Sequence, residues 1–407
     1  MKQGTIEKVT DLLDSNKREV FESQYKDYII PKNDIAFFYD NTNNQFVLSH
    51  KNWQEGKGLL IKPHAHRGIS HRLNIAWSYY RRMMEEAPDL LCENLTHWLD
   101  DIEYNSKGKI VDRRFLIRAD KLHDAEYPHA RAFLSNKYLP INNSQVASRL
   151  LHIIERNGLT IKSADITDEK MYIKAVNENI VREATYTGDD IQFGVTITNS
   201  EIGINAIEVK CFIYRLVCTN GMTAPILESS YKRKHLGNVL MSGDDLNSST
   251  QIEKVNSIIE EAGVYVDDLT HTQESNPQWV DTYIKQMRNA SMVKVNDIEK
   301  VLDYTMKSNP NINFSSQEKK AIINYSFVGS HHREHGLDIN LFDVAQGVTR
   351  SAQDSESYDR ASLLEEYGYH IMNTNIPRLN ASSFGDSENG NGKTLELATT
   401  GTSTSLS

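Results

Sequence analysis

Apolar residues recur along this chain with two different periods, and the changes of period divide it. Over residues 70–87, Leu73, Ala76, Trp77, Tyr80, Met83 and Met84 return at steps of three and four, the spacing that lines one face of an α-helix. Ser70 stands where an N-cap belongs. Pro88 disfavours helical backbone in the residue before it, so this helix is expected to end at Ala87. Upstream, residues 35–39 (IAFFY) and 45–48 read as strands.

From residue 109 to 217 the apolar positions alternate or form short β-branched runs. Strands are expected at 114–118, 130–134, 171–176, 191–198 and 207–217. A helix over 144–156 interrupts them, with Val146, Leu150, Leu151 and Ile154 on one side. Turn chemistry marks residues 198–203, and Asn220-Gly221 predicts a tight hairpin because both residues tolerate positive φ. Beyond residue 242 the helical period returns. Thr250 with Glu253, and Ser315 with Glu318, have capping-box spacing ahead of apolar runs. Further helices are expected near 277–290, 296–307, 339–352 and 359–372. From residue 382 the chain is mostly Ser, Thr, Gly and Asn, with too little apolar surface to offset the entropy of ordering.

The predicted fold is α+β: a central antiparallel β-meander packed with helices, followed by a helical C-terminal half and a disordered tail. The corresponding division is a mixed N-terminal segment (1–60), an α+β core domain (61–240), a helical domain (241–380) and the disordered tail (381–407).

Composition narrows the function classes. No uninterrupted apolar stretch reaches the length of a membrane span, and the charged first residues lack the apolar centre of a secretion signal. Cys92, Cys211 and Cys218 form no disulfide framework. A cytoplasmic protein without membrane contact is expected. The net charge of −10 excludes a protein that coats nucleic acid by overall electrostatics. Basic residues nevertheless concentrate at 107–137 and 232–235. Arg113, Arg114, Arg118, Arg131, Lys137, Arg215, Lys232, Arg233 and Lys234 are candidate phosphate contacts, with Tyr138 a candidate base-stacking ring. The arginines at 118, 131 and 215 are equally placed to pair with Glu201 or Glu208 inside the sheet.

Histidines cluster at His64 and His66 and at His331, His332 and His335. A helix there would put His331 and His335 on one side as metal ligands. No phosphate-binding loop, dinucleotide glycine pattern or hydrolase elbow occurs. No cofactor is therefore expected, and no motif specifies an enzymatic reaction.

Three segments resemble a known family. Residues 131–143 (RAFLSNKYLPINN) are similar to the R-A-x-L-S-x-x-Y-x-P-I-D-N stretch of the domain of unknown function 932 family. Residues 199–203 (NSEIG) resemble its N-S-E-x-G turn, and residues 214–222 (YRLVCTNGM) its Y-R-x-V-C-T-N-G-M strand and turn. Val348-Thr349-Arg350 lies where that family has an N-A-x-T helix, with Gln346-Gly347 departing from it. The resemblance spans roughly residues 65–372 and implies a phage- or plasmid-encoded protein acting inside the host cell. The leading functional expectation is binding of single-stranded DNA along a basic face of the central sheet. The alternative is a protein-binding module acting on a host factor, and a metal-dependent enzyme comes last. Self-association into a homo-oligomer is compatible with each.

Overall fold

The computed structural model describes residue 11 and residues 26–53, 58–120, 128–184, 189–216, 220–224, 230–275, 277–309, 312–327, 339–355 and 357–374. Cys218, the histidines at 331, 332 and 335, and the expected tail lie outside the described residues.

Two large sheets organise the chain, where the sequence pattern suggests one. The first contains β1 (Lys26–Pro31), β2 (Ile35–Asp40), β3 (Gln45–His50), β4 (Leu59–Ile61), β5 (Arg114–Asp120) and β6 (His129–Ser135) in the order β1-β5-β6-β4-β3-β2. Its pairings are antiparallel except β4 with β6. The second runs β7 (Thr160–Ile166), β8 (Met171–Glu183), β9 (Asp190–Asn199), β10 (Ile207–Arg215) and β11 (Asn220–Ala224) as an antiparallel meander, with β12 (Ser230–Arg233) beside β10. Strands 114–120 and 129–135 therefore leave the expected meander. They join four strands from the first sixty residues, so the segment 1–60 shares a sheet with the 61–240 region. Alternation specifies which face of a strand is buried but not which strand lies beside it.

Three helices, α1 (Pro63–Arg72), α2 (Trp77–Glu86) and α3 (Pro88–Asp100), cover the face of the first sheet that carries Phe115, Ile117 and Phe133. The single helix expected over 70–87 is two. Asn74 turns the chain with φ 57°, and Ser70 is not a cap but a buried residue of α1 whose hydroxyl donates to Ile75 O at 2.7 Å. Pro88 begins the next helix, because a proline in the first turn lacks only an N–H that would be unpaired there anyway.

The second sheet is covered on both faces. Helix α4 (Asn143–Arg156) packs on the long α5 (Ser249–Ser275). Gln273 of α5 donates to Gly194 O at 3.0 Å and sits against Cys211 of β10. The next residue along, Lys210, points the opposite way and reaches Glu366 at 3.1 Å. Glu366 belongs to the last described helix, which follows α6 (Pro277–Arg288), α7 (Ile298–Ser308), α8 (Ser316–Tyr325) and α9 (Leu341–Ser351) and is labelled α10 (Tyr358–Met372). That helix also supplies Glu365, which meets Lys174 of β8 in a buried ion pair. The Ser315–Glu318 capping box forms as expected, with hydrogen bonds of 2.8 and 3.2 Å.

Of two glycines expected in turns, one is found there. Gly203, in the β9–β10 turn, has φ +80° and belongs to the predicted turn. Asn220-Gly221 instead opens strand β11, with Gly221 opposite Tyr214. A Cβ on Gly221 would lie 2.2 Å from the Phe212 ring, so this glycine is required by packing.

Candidate functional site

The positive furrow expected on the central sheet is not formed, because helices occupy both faces and carboxylates meet most of the basic residues. Arg118 is 1% exposed. Its Nε donates to both carboxylate oxygens of Asp27 at 3.1 Å, Nη1 to Glu201 O at 2.9 Å and Nη2 to Asn142 Oδ1 at 2.8 Å. Arg131 binds Glu201 at 3.1 Å and approaches Asp120 at 3.6 Å. Arg215 is buried against Asp189, under the ring of Phe342. Arg113 is held by Glu103 at 2.9 Å and by Arg72 O, Arg114 by Asp112 and by Met241 O, and Lys232 by Glu208. Tyr138 is buried too. Its hydroxyl donates to Ser200 O at 3.0 Å, so His235, 2.7 Å away, must donate from Nδ1 to the tyrosine hydroxyl oxygen. Tyr138 is therefore unable to stack on a base. These seven positions are corrected from surface contacts to paired or buried groups.

The family-like motifs converge in this network. Arg131, Tyr138, Asn142 and Asn143 come from the first motif, and Asn199, Ser200, Glu201 and Gly203 from the second. Glu201 accepts from the Asn143 backbone N–H at 2.8 Å, and the Asn199 amide donates to Ile141 O and to Asn143 Oδ1. Together they lock the β9–β10 turn of the second sheet onto β5 and β6 of the first, where Leu116, Leu134, Tyr138 and Ile202 form a small core of their own. Two guanidinium groups here face three carboxyl groups: Asp27, Asp120 and Glu201. Burial raises Glu201, but the charges of Arg131 and Arg118 outweigh it and hold the carboxyl below its ordinary value. Burial dominates at Asp27 and pushes it up to about 8, which makes Asp27 the carboxyl that keeps a proton. His235 is pushed down to about 4 by burial and by the Arg118 charge, and its buried Nε2 has no partner among the described residues. Asp27 escaped the sequence reading, while Asn142 stood in the first motif and His235 in the second basic patch without a role assigned. Asp27 carries no local signal, and only its register opposite Arg118 in the β1–β5 pair brings it in.

Three of the candidate contacts do reach solvent. Lys137, Arg233 and Lys234 are exposed, and among the described residues no carboxylate pairs with them. They lie on one ribbon. Tyr138 pairs with Leu236 in an antiparallel bridge, Leu139 N–H donates to His235 O at 3.1 Å, and Gly237 N–H donates to Lys137 O at 2.9 Å. Arg114 joins its edge through Met241 O.

The described histidines make no metal centre. His66 is buried, bonded to the Tyr80 hydroxyl at 3.0 Å, and pushed down to about 4 by burial. His64 meets Glu169 at 3.2 Å. Among the described residues no group of three or more His, Cys, Asp or Glu is placed to hold a metal ion. The expected pair His331 and His335 lies outside the described residues. Likewise, no described helix is long and apolar enough to cross a membrane.

Residues 131–309 match the family model described as domain of unknown function (DUF932). No curated protein and no solved structure matches the chain.

Proposed function

We propose, for this chain whose residues 131–309 match the model of the domain of unknown function 932 family, that it binds single-stranded nucleic acid, with phosphates running along the 136–139/232–239 ribbon. One observation carries the reading: Lys137, Arg233 and Lys234 stay exposed on two segments joined by the Tyr138–Leu236 bridge, with no carboxylate paired to them among the described residues, in a region whose other candidate cations are neutralised. The phosphate contacts are thus fewer than the sequence suggests and lie at an edge between the sheets. A phage or plasmid origin and work in the host cytoplasm belong to the same reading.

Three phosphate contacts imply a slope of about −2 for log K against log salt on a single strand, or roughly a twentyfold loss between 50 and 200 mM salt. Fluorescence anisotropy with a labelled oligothymidylate at these two concentrations reads it. The combined Lys137→Ala, Arg233→Ala and Lys234→Ala variant should abolish most binding with its unfolding midpoint unchanged. No binding at low salt, or binding indifferent to salt, overturns the reading.

A second reading, a protein partner, is favoured by Leu236, Val239 and Met241, which are about half exposed on the same ribbon. A partner retained from host lysate after nuclease treatment, and released by Leu236→Ser, would support it in place of nucleic acid.

A further inference from the structure

The start of β5 separates two surfaces. Arg114 turns toward the ribbon, bonded to Met241 O at 2.7 Å, and its neighbour Arg113 turns the other way to Glu103. Glu103 stands at the rim of an open cleft of about 600 Å³ that is also lined by Lys32, Asn74, Tyr79, Trp98 and Ile102. That volume falls within the roughly 300–1,000 Å³ of small-ligand sites. The chain builds this cleft at a local cost. Asn74 holds φ 57°, a left-handed conformation uncommon outside glycine, and so separates α1 from α2. Helix α2 then sends Tyr80 into the core and leaves Tyr79 half exposed, while α3 leaves Trp98 42% exposed on the other wall.

The polar groups of the cleft are a buried donor beside an acceptor. The Lys32 side chain is only 5% exposed, and its ammonium meets Asp101 O and, at 3.4 Å, Glu103 Oε1. An ammonium has three N–H donors, and among the described residues the third has no acceptor. Glu103 Oε1 also takes the 2.9 Å bond from Arg113, while Oε2 has no partner among the described residues. Burial raises this carboxyl, but the hydrogen bond and charge of Arg113, with Lys32 beside it, keep it ionised and below its ordinary value. Two exposed aromatic rings, one anchored cation and one ionised acceptor suit a flat heterocycle with a carbonyl next to N–H groups.

We propose that this cleft receives a single unpaired guanine base. Tyr79 and Trp98 stack on it, Glu103 accepts from the adjacent N1–H and N2–H, and Lys32 donates to O6. Of the four bases, guanine alone sets two neighbouring donors beside an acceptor on its pairing edge. Adenine, cytosine and thymine each leave Glu103 or Lys32 less well met. The inference rests on the single-strand reading above and names what the strand presents.

The test uses the full chain and oligothymidylates carrying one central guanine, inosine or adenine, read by anisotropy and by quenching of Trp98 fluorescence assigned with Trp98→Phe. The guanine oligonucleotide should bind about tenfold more tightly than all-thymine, the discrimination typical of one bidentate base contact, with inosine, which lacks the N2 amine, between them. Glu103→Gln should erase the preference and leave all-thymine binding intact. Tyr79→Ala, at an exposed position, should weaken only the guanine oligonucleotide. Equal affinity for guanine and thymine strands, or unquenched Trp98, overturns the assignment while leaving the ribbon reading standing. Quenching by guanosine monophosphate without binding of any oligonucleotide would overturn the ribbon reading and keep the cleft. A nuclease-resistant protein partner displaced by Tyr79→Ala would overturn the cleft assignment.

Discussion

Replacing Arg118 by methionine separates a guanidinium that holds the fold from one that contacts ligand. The side chain is 1% exposed and donates to Asp27, to Glu201 O and to Asn142 Oδ1. Methionine fills a similar volume but leaves three acceptors in a water-poor junction without a donor. It also leaves Arg131 as the only cation of the network beside the protonated Asp27 and the carboxyl groups of Asp120 and Glu201. Each buried group stripped of its partner costs about 1–3 kcal/mol, and breaking one side of a buried ion pair typically costs about 3–5 kcal/mol. Arg118→Met should therefore lose about 3–5 kcal/mol, a large share of the roughly 5–15 kcal/mol that stabilises an ordinary domain. Urea unfolding followed by far-UV circular dichroism measures it, as a fall in midpoint at unchanged slope. Lys137→Met, which removes the same charge from an exposed position, should stay within about 0.5 kcal/mol of the parent. A loss below about 1 kcal/mol for Arg118→Met would refute the burial reasoning. So would a variant of normal stability that no longer binds oligonucleotide, since Arg118 would then be reachable by ligand.

Asp27 gives a pH dependence with a defined sign. Its folded value is raised from 3.8 to about 8, so between those limits the folded state holds a proton that the unfolded state has released. Its stabilisation is complete below about pH 4 and fades as pH rises toward 8. In Asp27→Asn, unfolding midpoints should fall less between about pH 5 and 8 than in the parent; parallel pH profiles would contradict this assignment of the proton. At Lys174, burial opposes the charge but Glu365 outweighs it and holds the lysine above its ordinary value. Burial holds Glu365 above its ordinary value even with Lys174 beside it; Lys174→Met should thus strand a buried carboxyl group without its partner at a cost of roughly 3–5 kcal/mol, while Lys174→Met with Glu365→Leu should recover most of that loss. A double variant as unstable as the single one would show that the pair's charge is not what ties α10 to β8.

What the sequence determined by itself was local. Helices α4 and α6 to α10 follow from the three-and-four spacing and the Ser315–Glu318 box, and strands β8 to β10 from alternation, because these patterns act within a few residues. The α+β class and the family likeness were legible for the same reason. The division of the strands was not, since Asp27 is 91 residues from Arg118 and nothing near either one specifies the β1–β5 register that sets them face to face. The split at Asn74 was equally hidden, because a helical period continues across it. Charge counts failed at the site for a related reason. Arg118 and Lys137 look alike as letters, yet one lies under the β9–β10 turn beside Glu201 and the other on a solvent ribbon. Tertiary structure made that distinction, because the desolvation of a charge and the carboxylate that compensates it come from segments far apart along the chain.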